Sequence, residues 1–308
     1  MKNFEGRIAV VTGAASGIGR ATSLRLAARG CAIAAADIDP AGLETLEGEL
    51  RERGHTVSTH QVDVSSSSAM EAFAGEVEDI HGAAHILVNN AGVVITGTFE
   101  RQRLEDLEWL VGINYWGVVY GCHYFLPLLE RQDEAHIVNL SSMFGFLGLP
   151  EQSGYCATKA AVRALSESLW AELRSKRIGV TSIHPGCIDT SIVASGRMED
   201  GEARRDVQSV FDRHGASPDV VARAIVRGIE KNKLRVRVRP ESVLSEWLKR
   251  LAPVGVHRLV ARRWERGNAS RARFQPEEQP EERSKVRPEV QPEVHAEGYS
   301  EGGPGAGV

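Results

Sequence analysis

Short apolar runs alternate along this chain with longer stretches in which apolar positions recur at helical spacing. An unbroken short run reads as a strand buried on both faces, and the longer period reads as an amphipathic helix. Residues 8–11, 31–36, 55–62, 86–88, 135–140 and 178–183 are the strands so predicted. Helices are predicted over 18–29, 41–53, 104–129 and 154–176, the third broken in pattern by Gly112 and Gly117. Ser217-Pro218-Asp219 is a further helix start, with a capping serine and a proline at the first helical position, and this helix runs to about Lys231. Strand and helix alternating in this way predict an α/β fold, a single doubly wound parallel sheet with helices on both faces.

The end of the chain has a different texture. Residues 234–240 alternate apolar and basic side chains, as in a half-buried edge strand with a solvated, charged face. In 242–264, Val243, Leu244, Trp247, Leu248 and Leu251 recur at helical spacing, and so do Val256, Leu259, Val260 and Trp264, with Pro253 and Gly255 between the two stripes. From Gln275 onward the chain is rich in Pro, Glu and Gly and almost without large apolar residues, which predicts disorder. The parse is therefore a main domain over 1–241, basic amphipathic helices over 242–266, and a disordered tail over 267–308. A length of 308 residues would allow two domains, but no linker or repeat interrupts the main one.

Composition narrows the class only a little. A 42% hydrophobic share suffices for a large core, and a net charge of −4 argues neither for nucleic acid nor for an acidic substrate. Cys31, Cys122, Cys156 and Cys187 lack metal-ligand spacing and read as free thiols in a reducing compartment. The N-terminus has no signal-like apolar core, and no apolar stretch approaches the ~20 residues of a spanning helix. The expected location is the cytoplasm, with no metal.

Two constellations carry chemistry. Thr12-Gly13-Ala14-Ala15-Ser16-Gly17-Ile18-Gly19 follows the first strand and opens the first helix, so its glycines allow a pyrophosphate to approach the helix N-terminus. Asp37, at the end of the second strand, lies where an acid can accept hydrogen bonds from an adenosine ribose. Tyr155 and Lys159 are four apart on one helix face, where an ammonium beside a phenol lowers the phenol's pKa toward that of a general acid/base. Ser142 precedes Tyr155 by thirteen residues; Ser141 lacks that offset and reads as structural, as does His184, which no nucleophile pattern accompanies.

Together these motifs resemble the short-chain dehydrogenase/reductase family over residues 4–240. The family's glycine motif corresponds to Thr12–Gly19, its N-N-A-G to Asn89-Asn90-Ala91-Gly92, and its P-G to Pro185-Gly186. The resemblance implies a Rossmann fold and a catalytic tetrad of Asn114, Ser142, Tyr155 and Lys159. Tyr155 would move the proton, Lys159 would tune it and hold the nicotinamide ribose, Ser142 would bind the substrate oxygen, and Asn114, at a local kink, would hold a water leading to solvent. Ile188 and Thr190 would hold the nicotinamide carboxamide. Asp63 and Val64 would meet the adenine, with helix capping as the alternative for Asp63. The helix bearing Ala157, Ala160, Ala161 and Ala164 would pair with the Asn114 helix across a homodimer or homotetramer contact.

Charge decides the cofactor expected. Asp37 and Asp39 would repel the extra phosphate of NADP, and neither Ile38 nor Ser16 offers a cation to receive it. NAD is expected, NADP less so. Met143, Phe144, Phe146, Leu147 and Leu149, with Val93, Val94 and Ile95, give an apolar wall suited to an apolar secondary alcohol or its ketone, or else pack beneath a mobile lid over 191–216. An NADP-linked carbonyl reductase, or a protein that binds the nucleotide without turnover, are the other readings. The helices of 242–264 are expected to cover apolar surface at the substrate entrance. Thirteen Lys or Arg against three Glu in 231–273 keep a rival open, a membrane-surface dehydrogenase acting on a lipid-like or steroid-like alcohol.

Overall fold

The computed structural model of the protein describes residues 1–190, 192, 196–198, 205, 209, 213 and 215–272, with side chains described through residue 266. Most of the 191–216 segment expected as a lid, and most of the 267–308 tail, lie outside the described residues.

Strands β1 (Ile8–Thr12), β2 (Ala32–Asp37), β3 (Val57–Gln61), β4 (Ile86–Asn89), β6 (Ala135–Leu140), β7 (Ile178–Pro185) and β9 (Arg235–Val238) form one sheet in the order β3-β2-β1-β4-β6-β7-β9. Every neighbouring pair is parallel. Both faces are covered, so successive residues of each strand enter different cores. Ala9, Val11, Ile33 and Ala35 pack with α1 (Gly17–Ala27), α2 (Pro40–Glu52) and α7 (Pro218–Glu230). Val10, Ala34, Leu87 and Ile137 pack on the other side with α3 (Ser67–His81), α5 (Gly117–Glu130) and α6 (Ser153–Glu172). This double burial is why the strands read as unbroken apolar runs rather than alternating ones.

The strand order reverses between β1 and β4. In open sheets of this kind, ligands bind in the crevice that the reversal opens at the carboxyl ends of the strands. Helix α3 is not among the elements predicted above, although Met70, Phe73, Ala74 and Val77 are buried at helical spacing along it. Its N-cap is Ser66, whose side chain accepts from the Ala69 amide. Asp63 instead turns back on Ser65, accepting from its amide at 2.9 Å and its hydroxyl at 2.7 Å, so helix capping is not what Asp63 does.

The long helix expected over 104–129 is three pieces. Helix α4 (Leu104–Val111) and helix α5 are joined by a π-helical turn over Gly112–Trp116, which starts at the first glycine that breaks the pattern and ends just before the second. Wide turns of this kind recur at functional sites, because the extra residue per turn re-aims one side chain. Here that residue set includes the fully buried Asn114.

The described part of 191–216 is tied to the domain. Strand β8 (Arg197–Met198) pairs with β5 (Ile95–Thr96), Arg197 lies 4.1 Å over the Trp109 ring, and Ala216 is hydrogen-bonded to the backbone of Cys187 and Asp189. The chain then forms α7, the edge strand β9, and helices α8 (Pro240–Leu251) and α9 (Gly255–Ala272).

Helix α8 sits on the sheet in the opposite sense from the one its stripe predicts. Its buried residues are Ser242, Ser245 and Glu246, while Leu244, Trp247, Leu248 and Leu251 are exposed. The Ser242 hydroxyl donates to the His184 carbonyl at 2.8 Å, and Glu246 pairs with Arg235, with Arg237 at 3.0 Å and with Arg250 at 3.2 Å. The basic face of β9 is therefore not a solvated edge. It is the seat on which α8 docks by its polar side.

Candidate active site

The glycine-rich turn and the turn after β4 are stitched into one cradle. The Asn90 side chain donates to the Thr12 and Gly13 carbonyls at 2.9 and 3.0 Å. The Asn90 and Ala91 amides donate to the Thr12 hydroxyl at 3.0 and 3.2 Å. Gly13 has φ +65°, and a Cβ there would stand 2.8 Å from the Asn90 amide nitrogen. A Cβ on Gly19 would overlap the Gly13 carbonyl oxygen. Gly17 (φ +51°) opens α1 and leaves 3.2 Å between its Cβ position and the Thr190 methyl group, with Ser16 as N-cap and Ile18 in the first turn. The glycines thus let the turn close on Asn90, on itself and on Thr190 at the N-terminus of α1, an arrangement that fits a dinucleotide pyrophosphate.

Asp37 closes the neighbouring side. One carboxylate oxygen accepts from the Ala15 amide at 2.9 Å and the other from the Asp39 amide at 3.1 Å. The acid is thus held on the glycine loop itself, with Ile38 exposed beside it. Asp63 follows β3 on the same edge, and Val64 is buried against the Gly117 position at the start of α5.

Across the crevice, Ser142, Tyr155 and Lys159 come together below the ends of β4 and β6. All three are buried, with Tyr155 only 8% exposed. The Ser142 hydroxyl is near enough to the Tyr155 phenol to influence its titration, and the Lys159 ammonium lies 5.7 Å from the centre of the phenol ring. The ammonium donates to the Leu140 carbonyl at 3.0 Å. Gly92 lies between Lys159 and Asn114: a Cβ on it would stand 3.2 Å from each of their polar atoms. Asn114 grips the Val93 backbone, accepting from its amide at 2.8 Å and donating to its carbonyl at 2.9 Å, and reaches the Thr158 hydroxyl at 3.3 Å.

The electrostatics differ in one respect from expectation. Burial pushes the Tyr155 phenol up to about 12, opposed by Ser142 and assisted by the neighbouring Cys156. Burial also holds the Lys159 ammonium down at about 8. Desolvation dominates both shifts, so the lowering of the phenol expected from the neighbouring ammonium is not found.

Lys159 is consequently a group that folding disfavours in its charged form. Between about 8 and the ordinary 10.5, the unfolded chain holds a proton that the folded chain has released, so this residue makes stability rise with pH across that window. Lys159→Met is expected to abolish turnover yet stabilise the chain near neutral pH by roughly 1–3 kcal/mol, the relief of desolvation less the lost Leu140 bond. Urea denaturation near neutral pH and at about pH 10.5 checks this: the gain should shrink at the higher pH, and a loss near neutrality would contradict it.

Several residues outside the tetrad support the site, among them Ser141 and His184, which the sequence marks as structural, and Glu241, which it does not mark. Ser141 donates to the Lys159 carbonyl at 2.7 Å, anchoring α6 beside the turn Met143–Gly145. His184 is fully buried, is held down to about 3 mainly by desolvation, and contacts Ser182 and the Ser142 carbonyl at 3.0 and 3.1 Å. It is a neutral structural residue under the serine. Glu241 of α8 accepts from the Cys187 amide at 3.2 Å and fixes the loop that runs from Pro185 and Gly186 through Ile188 to Thr190. Its distance in sequence hides that link.

The apolar wall is narrower than expected. Phe144 meets the Tyr155 ring edge-on, with centroids 6.1 Å apart, and packs with Val93, Val94, Ile95, Trp109 and Leu110. Phe146 turns elsewhere and stacks on His184 at 4.2 Å, under Arg235. Among the described residues, no group of three His, Cys, Asp or Glu side chains could hold a metal, and no helix is long and apolar enough to cross a membrane.

Comparison with known proteins agrees with this geometry. Residues 7–200 match the family model described as short chain dehydrogenase. A Mycobacterium tuberculosis protein named as an oxidoreductase, SadH, is 37% identical over 265 residues, which cover 85% of this chain and 96% of SadH. A short-chain dehydrogenase/reductase from Burkholderia phymatum, solved in complex with NAD, aligns with a TM-score of 0.77 at 30% identity, over 81% of this chain and 95% of the other. An alcohol dehydrogenase from Thermococcus sibiricus, solved with 5-hydroxy-NADP, aligns with a TM-score of 0.65 at 29% identity, over 75% and 94% of the two chains.

Proposed function

This chain belongs to the short-chain dehydrogenase/reductase family of oxidoreductases, and from that premise we propose that it uses NAD to interconvert an apolar secondary alcohol and its ketone. The observation that carries the reading is the convergence of Ser142, Tyr155 and Lys159 on one crevice with a glycine cradle bounded by a carboxylate.

The nicotinamide supplies the hydride chemistry, and the chain supplies binding, orientation and proton transfer. Thr12, Gly13, Ser16, Gly17, Ile18 and Gly19 receive the pyrophosphate, with Asn90, Ala91 and Gly92 forming the opposite wall. Asp37 accepts the adenosine ribose hydroxyls, and Asp63 with Val64 borders the adenine. Pro185, Gly186, Ile188 and Thr190 hold the carboxamide end. Ser142 donates to the substrate oxygen and stabilises charge developing there. Tyr155 takes the alcohol proton during oxidation and returns it during reduction. Lys159 binds the nicotinamide ribose and favours the phenolate once cofactor and substrate fill the crevice. Asn114 holds the Val93 backbone and, with Lys159 across Gly92, lines a proton route to water.

The Phe144 and Val93–Ile95 wall supports an apolar substrate. Trp116 is exposed and stacks on Tyr120 at 5.6 Å, and Ala157 and Ala164 lie exposed on α6, which supports a homodimer or homotetramer built on α5 and α6.

The test is absorbance of reduced nicotinamide across a panel of secondary alcohols, with NAD and NADP in parallel. Turnover of apolar secondary alcohols with NAD is expected. Turnover with NADP alone would support a carbonyl reductase instead, and tight nucleotide binding without any turnover would mark a non-catalytic protein.

A further inference from the structure

The inverted seating of α8 leaves an apolar surface that the oxidoreductase chemistry does not use. Leu244, Trp247, Leu248, Leu251, Val254 and Leu259 are between 42% and 77% exposed, and they run from α8 across the Pro253 break into α9. Single exposed apolar residues need no explanation, but a continuous stripe does.

The exposed charges around the stripe are predominantly positive. Residues 240–264 contain two carboxylates, Glu241 and Glu246, and both are turned inward: Glu246 toward the β9 arginines and Glu241 toward Arg239 and the Cys187 amide. Arg250, Arg258, Arg262 and Arg263 are exposed, and Lys249 is half-buried beside them. A second copy of this chain on the same face would set these cations against their own kind. An anionic surface would meet them with complementary charge.

From this geometry we infer that the outer face of α8 and the first turns of α9 dock on an anionic phospholipid surface. The aliphatic stripe and Trp247 enter the boundary between headgroups and acyl chains, while the long basic side chains reach up to the headgroups. The inward carboxylates have a separate task. They hold the helix to the domain by its polar side, so the apolar side stays available. Helix α8 also packs on the turn Met143–Gly145 that follows Ser142, so the helix whose outer face docks is itself a neighbour of the active-site turn.

Cosedimentation of the full chain with phosphatidylcholine vesicles, with and without phosphatidylserine, tests this. Binding to the phosphatidylserine vesicles at low salt is expected, with strong loss at high salt and little binding to phosphatidylcholine alone. Each basic residue near an anionic leaflet contributes roughly five-fold in partitioning, so Arg258→Ala with Arg262→Ala should weaken binding roughly 25-fold. Trp247→Ser with Leu251→Ser should weaken it at least ~10-fold through lost apolar burial. Because these side chains are exposed, both double variants should keep the parent's thermal midpoint and dehydrogenase turnover. Absence of binding at low salt, or binding indifferent to both pairs, would overturn the inference. So would a monomer shift in the Trp247/Leu251 variant together with unchanged vesicle binding, which would assign the face to a second copy.

Discussion

Tyr155→Phe is expected to lower turnover by at least ~100-fold while leaving NAD affinity near that of the parent. General acid/base catalysis is typically worth 10²–10⁴-fold, so ~100-fold is the low end of its loss. The substitution removes one oxygen atom from a residue that is 8% exposed. Its packing against Phe144 survives, and the phenyl ring fills the same space. Ser142 keeps the Phe144 amide as a donor at 3.2 Å. A fall in turnover with little change in the cofactor dissociation constant would therefore report the lost proton transfer. Near-normal turnover would assign the acid/base role to another group.

The second large effect is expected at the ribose end. Asp37→Ala combined with Ile38→Arg should narrow or reverse a preference for NAD over NADP, by a few kcal/mol in relative affinity. The estimate combines relief of carboxylate–phosphate repulsion with one new charge-assisted hydrogen bond, roughly 1.5–3 kcal/mol for the bond alone. The position is favourable for the exchange, because Ile38 is exposed and Asp37 bonds only backbone amides of its own two loops. Some of the gain will be offset, since Ala15 and Asp39 lose the acceptor that holds them. Comparison of kcat/KM for the two cofactors in parent and variant measures the shift. A parent that already prefers NADP would show that Asp37 does not select the cofactor.

How much of this was legible in the sequence depended on whether the signal was local. The strands β1, β2, β4 and β6 are buried on both faces, and an apolar run is sufficient to mark them. The glycine turn was legible because backbone approach at Gly13 and Gly19 tolerates no side chain. The π-turn was visible only as a break at Gly112 and Gly117, since its wide hydrogen-bond register leaves no periodic trace. The buried chain Asn89–Asn139–Ser166, with contacts of 2.9 and 3.1 Å, was invisible because its members lie on separate elements.

Helix α8 shows the limit most clearly. Its periodicity correctly groups Leu244, Trp247, Leu248 and Leu251 on one face, but periodicity does not say where a face points. That was decided by Arg235, Arg237 and the His184 carbonyl, which give the polar face a better seat than the apolar one has. Phe146 failed as a wall residue for a similar reason, as His184 and Arg235 claim its ring.

The most direct test of the chemistry follows the hydrogen itself. A secondary alcohol that the enzyme turns over is labelled with deuterium on its carbinol carbon, and the reduced cofactor is recovered for mass spectrometry. The expected result is NADH carrying the deuterium at the nicotinamide ring, formed by the parent and strongly suppressed in Tyr155→Phe. Unlabelled reduced cofactor, or labelled NADH formed equally by the Tyr155→Phe chain, would contradict hydride transfer with Tyr155 as the acid/base.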